Sequence, residues 1–226
     1  MMKIDIHKES ESIFQQICQD KQLSKFVDRD LKIPEVFIGK GQIKLIFLGQ
    51  DPTVKSRTAR KYIKQVLNLD KNGRLRDYLN DICKKLDLDL EQNIYATNYY
   101  KNFFIDPPTT IHEVDIFEEF QKYWLPLLRR EINQFPDIPI ISLGEPLLSS
   151  LVKNGFPMKV RYYWGYTQKW RNGIYRPSNY INFDENHLSK IIFPFPHQPS
   201  KNRMLFYQNR FEEYLNFVRN HIGKPA

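Results

Sequence analysis

A carboxylate, an amide and an imidazole each follow directly on a short apolar run in this 226-residue chain. Gln50-Asp51 closes the run Ile43-Lys44-Leu45-Ile46-Phe47-Leu48-Gly49, Asn98 closes Asn93-Ile94-Tyr95-Ala96-Thr97, and His197 follows Ile191-Ile192-Phe193 and Pro194-Phe195-Pro196. Such runs suit strands buried on both faces of a parallel sheet. In open α/β folds, ligands bind just outside the carboxyl ends of the strands. Residues far apart in sequence then converge on one edge. Asp51 supplies a base, Asn98 a group that both donates and accepts, and His197 a donor whose charge changes near neutral pH. That set suits hydrolysis of a polar, planar substrate. Singly, each is also what an ordinary turn contains: Gly49, Asp51 and Pro52 are common turn residues, Asn98 caps turns and His197 satisfies loops. Their shared position favours the chemical reading.

The elements that must position them alternate between helix and strand. A first helix is expected from about Ser10 to Gln22, with Ile13, Phe14 and Ile17 on one face. Strand one is Ile43–Leu48, and a helix from about Arg74 to Leu86 carries Leu75, Tyr78, Leu79, Ile82 and Leu86 at helical spacing. Strand two is Asn93–Ala96. After a loop with Pro107-Pro108, a helix starts near Val114 with Phe117, Phe120 and Trp124 inward, and Pro126 is expected to kink or restart it. Strand three is Ile138–Leu143, followed by Gly144-Glu145-Pro146, with the proline in the first turn of a helix. Strand four is Ile191–Phe193. A last helix from about Asn202 sets Met204, Tyr207, Phe211, Tyr214 and Val218 on one face. No repeat or linker divides the chain. The expected fold is a single three-layer α/β/α sandwich around a central, mostly parallel sheet of about four strands.

Composition narrows the function classes. The chain is 41% hydrophobic with a mean hydropathy of −0.56, and no segment reaches the roughly 18 consecutive apolar residues that span a bilayer. The N-terminus lacks the apolar core of a secretory signal, so a cytoplasmic, membrane-free monomer is expected. Cys18 and Cys83 are the only cysteines, too few for a disulfide framework or a four-cysteine metal or iron–sulfur site, and the five histidines show no ligand spacing. No metal and no cofactor are expected. The net charge of +8 favours a polyanionic partner. Between Met158 and Tyr180, Lys159, Arg161, Lys169, Arg171 and Arg176 meet no acidic residue. Tyr162, Tyr163, Trp164, Tyr166, Trp170, Tyr175 and Tyr180 are interleaved with them. Cations neutralise phosphates and rings stack on unpaired bases, which suits nucleic acid. A β-hairpin with its rings packed inward explains the same pattern equally well.

The residues also meet a family. Gly49-Gln50-Asp51-Pro52 resembles the first motif of uracil-DNA glycosylases, and His197-Gln198-Pro199-Ser200 their last. Asn93 to Lys101 resembles the asparagine-bearing strand of that superfamily, and Ile140-Ile141-Ser142-Leu143-Gly144 its third strand with the following glycine. The resemblance spans about residues 40–215, in short ordered motifs. It implies that Asp51 positions and activates water for attack on the deoxyribose anomeric carbon, and that Asn98 reads the pyrimidine edge. It further implies that His197 hydrogen-bonds O2 and stabilises the departing uracilate, while the Gln50 backbone lines the base pocket. DNA, single- or double-stranded and carrying uracil or another lesion, is the implied partner.

The departures matter as much. Thr53 stands where uracil-specific members carry a tyrosine that closes the pocket against thymine, so a bulkier base fits the expectation. Gln198 replaces a proline, and Lys201, with Met204 nearby, stands at the offset of the wedge that fills the vacated stack. Tyr62 is the candidate ring for stacking on the base. The stretch from Gly144 to His197 is longer than the family needs, and the basic aromatic segment at about 156–190 reads as an insertion near the DNA-binding edge, with Lys169, Arg171 and Arg176 as phosphate contacts. The leading expectation is a monofunctional DNA glycosylase of base excision repair. The alternative is a catalytically inactive nucleic-acid-binding module of the same fold, and a hydrolase of free nucleosides is third.

Overall fold

In the computed structural model, which describes residues 4–164, 179–198 and 205–222, strands β1 (Phe37–Ile38), β2 (Leu45–Gly49), β3 (Ile94–Asn98), β4 (Ile140–Leu143) and β5 (Ile192–Phe195) form one sheet. Its order is β1-β3-β2-β4-β5. The four longer strands run parallel, and β1 joins β3 antiparallel at the edge. The described helices are α1 (Ile6–Gln19), α2 (Arg57–Arg60), α3 (Arg74–Lys85), α4 (Leu90–Asn93), α5 (Ile116–Ile132), α6 (Glu145–Leu151), α7 (Val160–Tyr163) and α8 (Leu205–Arg219). Every residue of β2, β3, β4 and β5 is buried, as strands covered by helices on both faces must be. This is the expected α/β sandwich, with one strand more than the apolar runs predict. β1 has two residues, too few to display a periodicity.

Capping accounts for most shifts in helix boundaries. Asp5 accepts from Lys8 N and starts α1 earlier than Ser10, while Asp115 accepts from Phe117 N and Glu118 N and starts α5 at Ile116. Pro126 neither ends nor restarts α5, which continues through it. The proline forfeits a single helical bond, and buried Trp124, Leu125, Leu127 and Leu128 tie both halves to the core. β5 runs on through Pro194, which an edge strand tolerates because no further strand of the sheet needs the N–H that proline lacks. Among the described residues no helix is long and apolar enough to cross a membrane.

The basic aromatic segment is read differently at its two ends. Val160–Tyr163 is helical, not a hairpin strand, and Tyr162, Tyr163 and Trp164 are buried. The Trp164 indole donates to the Pro194 carbonyl at 2.7 Å and stacks on Tyr214 with centroids 4.4 Å apart. Tyr180 packs beside Phe193 and Phe217. Trp164 and Tyr180 thus pack against β5 and α8, and the buried Tyr162, Tyr163 and Trp164 are not available to stack on bases. Lys169, Arg171 and Arg176, with Tyr166, Trp170 and Tyr175, lie outside the described residues, as do Lys201 and Met204.

Behind β3 lies a buried ionic cluster. The Lys101 ammonium donates to Glu131 Oε2 at 2.5 Å and to the Thr97 hydroxyl, and the Tyr95 hydroxyl donates to Glu131 Oε1 at 2.6 Å. Lys101 and Glu131 side chains are 2% and 0% exposed, so neither charge has water to fall back on.

Candidate active site

Strand register brings the polar groups together. Gly49 is level with Asn98 on β3. Leu48 pairs with Ser142, which sets Gly49 level with Leu143, and Leu143 pairs with Phe195. One row therefore crosses the sheet at its carboxyl edge, and Asp51 and His197 each stand two residues beyond it. A cavity of about 540 Å³ opens there, within the usual range for small-ligand pockets. Gln50, Asp51, Thr53 and His197 all line it, together with Leu67, Asn68, Pro107, Pro108 and Gly144.

The loop after β2 is held by hydrogen bonds that act on Asp51. The carboxylate accepts the Thr53 backbone N–H at 2.7 Å, and the Thr53 hydroxyl in turn accepts from Phe104 N at 2.8 Å. Burial pushes the Asp51 pKa up from 3.8 to about 6, against the opposing pull of the Thr53 hydroxyl, the Thr53 N–H, the Arg60 guanidinium and the Gln50 side chain. Arg60 is buried and ties three carbonyls, those of Val54 (2.7 Å), Phe104 (2.7 Å) and Ile105 (2.8 Å). It thereby stitches the loop after β2 to the loop after β3. Thr53 and Arg60 are positioning residues that no sequence pattern announces; a buried arginine has no local signature. Thr53 thus has a second role besides leaving the pocket open. Replacing it by valine is expected to raise the Asp51 pKa further and to cost about 1–3 kcal/mol through the orphaned Phe104 N–H. Thr53→Ser should preserve both, as carbon-detected NMR titration of the carboxyl and thermal unfolding would report.

His197 is set by the end of β5. Tyr78 on α3 donates its hydroxyl to the Pro196 carbonyl at 3.1 Å, and Gly144 N donates to Phe195 O at 2.8 Å. Gly144 has φ +99°, which favours glycine, and a Cβ there would press on the His197 Cβ at 3.3 Å. The His197 residue remains accessible from the cavity, yet its surroundings strip enough hydration to lower the imidazole pKa below 6.5. At neutral pH the ring is uncharged and still able to donate one hydrogen bond.

Asn98 departs from expectation. It is buried next to the cavity and not on its lining, and neither amide atom has a partner among the described residues. A Cβ on Gly49 would meet Asn98 Oδ1 at 2.4 Å and Leu67 Cδ2 at 2.5 Å. The amide and Leu67 therefore crowd the same point above Gly49, with Leu67 on the cavity side. Leu67 and Asn68 have φ values of 54° and 56°. Two successive non-glycine residues in the left-handed region store about 1–3 kcal/mol each. Leu67 is a site residue that sequence reasoning missed, because nothing in a leucine signals such a backbone. Tyr62 does not line the cavity: it is 63% exposed, with the Lys71 ammonium over its ring.

Among the described residues no three His, Cys, Asp or Glu side chains gather as a metal site. A cavity at the carboxyl edge of a parallel sheet, lined by a carboxylate of raised pKa and an imidazole of lowered pKa, is suited to acid–base or hydrolytic chemistry. Comparison with protein-family models and with curated proteins finds no match to this chain.

Proposed function

We propose that this protein is a DNA glycosylase that hydrolyses the N-glycosidic bond of uracil or a related damaged base during base excision repair. The observation that carries the reading is the convergence of Asp51 and His197 on one cavity roomy enough for a flipped-out nucleotide, with the unpartnered Asn98 amide buried beside it. The target nucleotide leaves the stack to enter the cavity, at a cost of a few kcal/mol recovered from pocket contacts. The C1′–N1 bond breaks with positive charge developing on the sugar, which the ionised Asp51 stabilises. A water oxygen bonds C1′ and passes a proton to Asp51. The bond electrons leave with the base, whose anion accepts a hydrogen bond from neutral His197 before taking a proton from solvent. Asn98 supplies a donor and an acceptor for the base edge once Leu67 yields, and releasing that strained turn offsets part of the cost.

The test is base release from uracil-containing single- and double-stranded oligonucleotides at enzyme excess, read as alkali-labile sites and extended to a panel of bulkier lesions that Thr53 would admit. Wild type should produce them, and His197→Ala should be about 100-fold slower, the scale of one lost transition-state donor. Tight DNA binding without release from any substrate would favour the second reading, a binding module that has kept the fold. The burial of the Asn98 amide off the cavity lining is the observation on its side.

A further inference from the structure

The chain between Val54 and Arg76 forms the cavity wall from inside and a charged surface outside. Val54, Lys55, Ile63, Leu67 and Asn68 line the cavity. Over the same stretch there are eight basic residues and a single acidic one, Asp70, a stronger bias than in the chain as a whole. Six of the eight are exposed: Lys55, Arg57, Lys61, Lys64, Lys71 and Arg74. Arg57 faces Asp106 at 3.7 Å, whereas Lys55, Lys61, Lys64 and Arg74 have no carboxylate within 4.0 Å among the described residues. In their midst Tyr62 is the most exposed large apolar side chain described, and the Lys71 ammonium lies 5.7 Å from its ring centroid.

The backbone carrying this ring is pinned. Arg60 bonds the carbonyls of Val54, Phe104 and Ile105, the Lys64 carbonyl accepts from Glu35 N, and Val66 N donates to Glu35 O. An aromatic ring held out on a fixed turn loses little entropy when something stacks on it. This surface sets an exposed tyrosine ring, held by the Lys71 ammonium, among four cations that meet no carboxylate within 4.0 Å among the described residues. Its chemistry matches one ligand, an unpaired polynucleotide, whose phosphates take the cations and whose base takes the ring face.

We infer that the 55–74 surface is a docking platform for single-stranded DNA, on which Tyr62 stacks a base flanking the nucleotide in the cavity. The inference rests on the glycosylase reading only for what occupies the cavity. The platform itself is tested without turnover, with a fluorescent oligothymidylate that contains no uracil. Tyr62→Ala should weaken its binding by about 5- to 150-fold, the equivalent of one lost base stack, and Tyr62→Phe should bind like wild type. Replacing Lys61, Lys64 and Lys71 together by glutamine should reduce the slope of log affinity against log salt by about 2, three phosphate contacts at roughly 0.7 each. Unchanged binding by Tyr62→Ala would overturn the platform. So would equal competition by inorganic polyphosphate, which offers charge and no bases and would mark the surface as a site for an acidic protein or anionic lipid. Failure of base release with these binding results intact would count against the glycosylase and leave the platform standing.

Discussion

Asp51→Asn is expected to abolish base release, by at least about 100-fold, while leaving the fold and DNA affinity intact. The amide is isosteric and still accepts the Thr53 N–H, but it neither takes a proton from water nor offsets charge on the sugar. Removing a positioned acid–base group costs about 10²–10⁴ in rate. The pH dependence separates this from a merely structural effect. Because the Asp51 pKa is raised to about 6, the wild-type rate should climb about tenfold per pH unit below that value and level off above it. His197, already neutral at pH 7 through its lowered pKa, adds no falling limb near neutrality. A wild-type rate independent of pH between 5 and 7 would sink the role given to Asp51.

The same substitution should stabilise the protein. The folded-state pKa lies above the ordinary value of 3.8, so the native state holds this proton more tightly than the unfolded chain does. The carboxyl therefore costs nothing below about pH 4, and stability is lost as pH rises from about 4 through about 6. The gap corresponds to up to about 3 kcal/mol, less where water reaches the carboxylate from the cavity. The substituted amide does not ionise, so the variant's Tm should exceed that of wild type at pH 7.5 and match it near pH 4. Gain of stability with loss of function at one position is what a site holding a desolvated charge for its chemistry must show.

The second large effect is expected at the ionic cluster behind β3. Glu131→Leu leaves the Lys101 ammonium buried without its carboxylate, and breaking a buried pair from one side costs about 3–5 kcal/mol. For a chain of this size that is a fall in Tm of about 6–20 °C. Burial already lowers the Lys101 pKa, with Glu131 opposing. In the variant the native state therefore holds the lysine proton less tightly still, and the loss of stability should shrink as pH rises towards 10.5. The double variant Lys101→Met with Glu131→Leu removes both charges and should recover most of the loss. A single variant as stable as wild type would show that water enters the cluster. Thr97, which accepts from Lys101, directly precedes Asn98 on β3, so base release is the readout that would detect strain passing from this cluster to the cavity.

What could be read in the sequence was local. The apolar runs at β2, β3, β4 and β5 announced strands buried on both faces, and the polar residues beyond β2 and β5 and at the last position of β3 marked the edge where a site belongs. Boundaries moved where a side chain intervened: Asp5 and Asp115 cap their helices, and packing on either side of Pro126 overrides a local preference for a break. The aromatic pattern around 158–180 was ambiguous for a physical reason, since a ring that stacks on a base and a ring that fills a core have the same composition and spacing. Contact with α8 and β5 decides it for Trp164 and Tyr180, and burial decides it for Tyr162 and Tyr163. Tyr62, the candidate ring for stacking on the base, is a surface ring outside the cavity lining, because side-chain direction on an irregular turn follows from tertiary anchors such as Arg60.

By itself, then, the sequence determined the fold class and the chemical character of the strand ends, because hydrophobic periodicity and turn chemistry act over a few residues. Tertiary structure alone decided the strand order that aligns Asn98, Gly49, Leu143 and Phe195 in one row, the intrusion of Leu67 above Gly49, and the anchoring of the Asp51 loop by Thr53 and Arg60. It also set the pKa of Asp51, which depends on how much water the surrounding segments exclude. These properties arise from burial and from contacts between segments distant in the chain, where the same residues in another packing would carry other charges and face other partners.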